Sequence, residues 1–142
     1  MFSMANEAVL IVEQDYPVNF TVANATGIEK GALLKMTDPN TAIAGSASND
    51  PVAGISYGEK IASDGVTKLA VYRKGIFKMT LSGSATVGDA LVIEGASSTN
   101  YVKKCPNHTS LSGANIVGTA LETGTTGETI LVELNPHTVQ YS

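Results

Sequence analysis

The chain has 142 residues, 43% of them hydrophobic, one cysteine and a formal net charge of −4, which suits one domain with a real core and argues against two independent ones. The acidity argues against a nucleic-acid partner, which needs a dominant basic surface, and the lone Cys105 excludes an intramolecular disulfide, pointing to intracellular synthesis. No apolar run approaches the roughly 18 residues of a membrane span and no leader pattern opens the chain, so a soluble, unsecreted product without a membrane partner is expected.

In chain order, Met1 to Ala5 reads as a loose end, followed by Ala8 to Val12, AVLIV, a five-residue apolar run between Glu7 and Glu13. Such a run wants burial on both faces, either as a central strand of its own sheet or as an arm laid against a partner. Tyr16 to Val22, YPVNFTV, then alternates with Tyr16, Val18, Phe20 and Val22 in one phase, and Pro17 marks its beginning as an edge or an entry.

Two diverged copies of one β-unit follow. TGIEKGALLKM from Thr26 to Met36 answers SATVGDALVI from Ser84 to Ile93, with Gly31 and Gly88 57 positions apart. Each copy passes through a polar turn to a glycine-centred strand, around Gly54 and around Gly118. Each then ends in an alternating strand, Lys68 to Tyr72 and Thr129 to Leu134.

Between the copies lies TKLAVYRKGIFKMTL, Thr67 to Leu81. Leu69, Val71, Phe77, Met79 and Leu81 hold one phase and Lys68, Tyr72, Lys74, Lys78 and Thr80 the other. Fifteen residues exceed one strand of a small domain, so two strands sharing a core face are predicted, with a bend, bulge or turn at Gly75. Arg73, beside that Gly, breaks the apolar phase and is expected to point to solvent or to a neighbouring subunit. Helix is scarce: Gly58 to Ser63 and Cys105 to Ser112 have room for about one turn each. The pattern predicts a mainly β, compact single-domain β-barrel or sandwich. An N-terminal arm or first strand spans 1–19, the β-rich domain 20–136 and an exposed tail 137–142.

Charge is placed unevenly. Glu7, Glu13, Asp15 and Glu29 precede the first basic residue, Lys30, leaving nine acids against nine bases in the remainder. An acidic arm would therefore face a basic sheet, within one molecule or between subunits.

Catalytic patterning is absent. Cys105 and His108 lie three apart without an orienting carboxylate, and His137 has no metal-ligand spacing to either. Asp38, Asn40, Asn49 and Asp50 read as Asx-type turns rather than a calcium loop. The five Tyr and three Phe are scattered and form no stacking platform. No enzyme, metal or cofactor is expected.

In their order and spacing, TGIEKGALLKMTDP, VAGIS, TKLAVYRKGIFKM, GDALVI and IVGTALETGTTGETILVEL resemble the small capsid-decoration, or head cement, proteins of tailed bacteriophages. The resemblance implies a β-rich fold related to the tulip-like decoration proteins of lambda-type phages. It also implies a structural role on the outer surface of the expanded capsid, as a trimer clamping neighbouring copies of the major capsid protein, after synthesis in the host cytoplasm. On that reading Val9, Leu10, Ile11, Val12 and Tyr16 contact the capsid by adding a strand to an exposed sheet edge, and Lys68, Arg73, Lys74 and Lys78 serve contacts between subunits. A β-rich surface binding module, for example for carbohydrate, is the alternative; it requires a concave site with several exposed aromatics.

Overall fold

A computed structural model describes residues 6–95, 100–106 and 113–140, and among these the chain is all β. Five strands form a first closed barrel: β2 (Val18–Thr21), β3 (Leu33–Thr37), β4 (Thr41–Ala44), β5 (Val52–Ser56) and β6 (Lys68–Tyr72), in the order β2-β4-β3-β5-β6. The second sheet holds β7 (Gly75–Leu81), β8 (Ala90–Ile93), β9 (Tyr101–Lys104), β10 (Gly113–Ala120) and β11 (Thr129–Gln140), with β1 (Val9–Glu13) added on the outside of β7. A further β7–β9 pairing joins the ends of that five-strand set, so its neighbours close in a ring as well.

The two rings are the two sequence copies. In each, the first strand runs antiparallel to the last (β2–β6, β7–β11) and parallel to the third (Thr21 beside Thr41, Thr80 beside Tyr101). Isolated bridges recur at matching places, Ile28 with Lys60 and Ala85 with Gly124. So do the hydrogen bonds from Gly31 N to Ser56 O and from Gly88 N to Ala120 O. The turn carboxylates match too: Asp64 accepts from Ile61 N and Val66 N, and Glu128 from Thr125 N. The Val66 N–H leads the contacts that hold the Asp64 carboxyl below its ordinary range, as the Thr125 N–H does for Glu128.

The core explains why two rings make one body. Phe20, Val22, Ile28, Leu34, Ala53, Leu69 and Val71 fill the first barrel. The second cluster joins Phe77, Met79, Leu81, Leu91, Ile130 and Val132 to Leu33, Val52, Ile55 and Tyr72, which belong to strands of the first. β5 is therefore buried along its whole length, with Ala53 turned into its own barrel and Val52 and Ile55 turned to the seam. Two asparagines tie the seam with polar contacts. Asn49 Nδ2 donates to Gly113 O (3.1 Å) and its Oδ1 accepts from Asn115 N (2.8 Å), while Asn100 Oδ1 accepts from Leu33 N (2.6 Å) and its Nδ2 donates to Gly31 O (3.0 Å).

Five expectations are corrected. β6 and β7 do not share one core face: the chain leaves the first barrel at Tyr72 and enters the second at Gly75, so Leu69 and Val71 pack in one cluster and Phe77, Met79 and Leu81 in the other. The opposite phase is not uniformly outward either, because the seam buries Tyr72 and the second sheet buries Thr80. The 137–142 segment is no free tail as far as Gln140, because β11 continues there and pairs with β10 from Ile116 beside His137 to Gly113 beside Gln140. The 19/20 boundary likewise falls inside β2. Gly58 to Ser63 forms a bridge and turn rather than helix, and His108 lies outside the described residues.

Candidate interaction surface and seam cleft

β1 is an edge strand. It pairs antiparallel with β7 from Val9 beside Lys78 to Glu13 beside Gly75, with a register shift between Leu10 and Val12. Its other edge has no strand partner among the described residues. The apolar run is thus neither a detached arm nor a central strand. Its inward side is short: Ala8 is buried and Leu10 packs on the seam cluster. Its outward side is apolar, with Val9 and Ile11 each 48% exposed and Val12 close behind. The chain then runs out to Tyr16, 86% exposed, and returns through exposed Val18 to buried Phe20 and Val22. Of the five residues expected to contact a partner, Val9, Ile11, Val12 and Tyr16 are therefore presented, and Leu10 is turned into the protein. An exposed apolar strand edge is a template for pairing, and here the bulge and the flanking Glu7 and Glu13 blunt it among the described residues.

The four basic residues separate. Lys68, Lys74 and Lys78 are exposed, Lys68 donating to Thr21 Oγ1 at 3.0 Å. Arg73 instead turns back onto β5, where its guanidinium donates to Ala53 O at 2.8 Å, and burial lowers its pKa from the ordinary value without discharging it. Arg73→Ala is expected to lower stability by about 1–3 kcal/mol, because a buried carbonyl loses a charged donor. Lys74→Glu and Lys78→Glu are expected to leave it within about 0.5 kcal/mol. Thermal melts of the three variants check this; equal melting temperatures would return Arg73 to the surface group.

Sequence reasoning missed two features. Lys60 is 2% exposed, with its ammonium donating to Asn24 O (2.7 Å), Ile61 O (3.1 Å) and Asp64 Oδ1 (3.3 Å). The matching bridge position in the second copy is Gly124; only the Lys60/Asp64 spacing hinted at a partner. The other is a cleft of about 420 Å³ between β1 and the seam. Its walls include Glu7, Lys30, Ser56, Tyr57, Tyr72 and Phe77. The rings form a ladder, Tyr57 to Tyr72 at 5.3 Å and Tyr72 to Phe77 at 5.4 Å, so residues scattered in sequence do assemble an aromatic wall. Burial pushes the Tyr72 phenol above its ordinary range, and the Glu13 carboxylate to which it hydrogen-bonds adds to the shift. Cys105 sits at a core edge, against Val92, Ala114 and Ile116.

The fold and surface define a class: a tandem pair of five-stranded rings, closed by strand pairing, with an apolar edge strand left open. In the solved structures this arrangement is similar to the head fiber gp8.5 N base of bacteriophage phi29, with a TM-score of 0.53 over 83% of this chain and 93% of that one, at 14% sequence identity. No family model matches the sequence, and no curated protein does.

Proposed function

We propose that the protein is a structural, non-enzymatic component of a phage virion. It binds the outer surface of the expanded capsid and cements neighbouring copies of the major capsid protein, as a homotrimer. The observation that carries the reading is the fold shared with a phage head fiber base over most of both chains. The free edge of β1 supplies the means: an extended segment of a capsid subunit adds to it antiparallel, main-chain hydrogen bonds give affinity, and Val9 and Ile11 give the apolar contact. Three copies around one axis multiply a modest contact into durable attachment.

The test is co-sedimentation with expanded, undecorated capsids built from the cognate major capsid protein. Stoichiometric binding is expected, with three copies around each occupied axis in reconstructions of the decorated shell. Ile11→Asp combined with Val9→Asp should reduce binding at least about a hundredfold, since two charges would be buried in an apolar contact. Failure of the unaltered protein to sediment with the shells overturns the proposal, and full binding by the double variant removes β1 from it.

A further inference from the structure

We propose that the seam cleft is a carbohydrate-binding site, taking neutral pyranose units with Tyr57 as the stacking face and Glu7 and Lys30 as the hydroxyl-binding ends. Its volume, about 420 Å³, falls in the range of small-molecule sites, roughly 300–1,000 Å³. Tyr57 is 51% exposed, so one part of the ring is open to a ligand, while Tyr72 packs behind it and is itself backed by Phe77. A stacking surface fixed in advance avoids the entropy of ordering a free aromatic on binding.

The polar groups select the class. Among the described residues Glu7 and Lys30 take part in no ion pair, with each other or with anything else, although both line the same cleft. A ligand of one charge is drawn by one of them and repelled by the other. A neutral polyol is served by both, because each hydroxyl donates to a carboxylate and accepts from an ammonium. Ser56, buried in the cleft floor, has its hydroxyl proton committed to Gly58 O, so it presents no competing donor. Tyr72 is buried and packs on Tyr57, so it serves as backing for that ring. An apolar ring face beside alternating donors and acceptors matches the two sides of a pyranose.

This site goes beyond capsid attachment; Val9 borders both surfaces, but the two can fail separately, because Ile11 does not line the cleft and Tyr57 and Lys30, whose variants test the sugar site, are not on the open edge of β1. The experiment is an amide-shift NMR titration of the full chain with cellotriose, maltotriose and tri-N-acetylchitotriose, with zwitterionic L-phenylalanine and anionic inorganic phosphate as comparators. At least one oligosaccharide is expected to shift the Lys30, Gly31, Ser56 and Tyr57 amides saturably, with a Kd of roughly 1–10 mM. Tyr57→Ala should weaken binding about tenfold and Tyr57→Phe should retain it. Lys30→Ala, at an exposed position, should weaken it severalfold, and serves if Tyr57→Ala disturbs the fold. Absence of saturable shifts with all three sugars, sugar binding that survives both alanine variants, or a response to phenylalanine or phosphate alone overturns the proposal.

Discussion

Gly54→Ala and Gly118→Ala are each expected to destabilise the protein by about 4 kcal/mol, lowering the melting temperature by roughly 10–15 °C. A Cβ on Gly54 would collide with the Tyr72 carbonyl oxygen and come to 2.9 Å from Val71 Cγ1, at a backbone φ of +142° that L side chains rarely adopt. A Cβ on Gly118 would collide with the Glu133 carbonyl oxygen and reach 2.9 Å from its carbonyl carbon. In both cases the obstacle is the backbone of the copy's last strand, β6 or β11, which cannot swing aside without opening the ring. Gly58→Ala is the control. Its added Cβ meets nothing within 4 Å, and a change within about 0.5 kcal/mol is expected. Calorimetric melts decide; a loss under about 1 kcal/mol at Gly54 and Gly118 would show that the strands can separate locally.

Removal of residues 1–15 is expected to cost on the order of 3–5 kcal/mol, leaving a product that is folded only in part at 37 °C. The deletion takes away the antiparallel pairing of β1 with β7, the buried Ala8 and the core-facing Leu10. It also uncovers the seam at Phe77 and breaks the Ala8 N to Gly31 O hydrogen bond between the rings. Chemical denaturation of the truncated chain measures this. Unaltered stability would mean that β1 is only laid on the surface. Because truncation disturbs fold and partner surface together, the aspartate variants at Val9 and Ile11 are the cleaner probe of attachment.

The β class, the near absence of helix and the twofold repeat were legible because they rest on local chemistry. Alternation at Lys68 to Tyr72 and Thr129 to Leu134, turn residues at Asp64-Gly65 and Gly127, and the answering glycines are properties of neighbours in the chain. Periodicity reports which side of a strand is buried, not which other strand buries it. Tyr72 carried the polar phase of β6 yet lies at the seam, and Arg73 read as an outward charge yet bonds to β5. AVLIV had the composition of a buried strand and lies at the edge, while VAGIS, no more apolar, is the strand buried on both faces. Lys60 looked like any loop lysine until Asn24, Ile61 and Asp64 closed around it.

The sequence by itself determined that two similar β-units stand in one chain and that both are built of short strands, since strand period and turn chemistry act over a few residues. Tertiary structure alone decided that each unit closes into a ring, that the units pack side by side, that β1 patches the second ring with its outer edge unpaired among the described residues, and that Tyr57, Tyr72 and Phe77 meet in one cleft. Those outcomes depend on contacts between segments far apart in the chain, whose partners are chosen by shape and by the burial available once both rings exist.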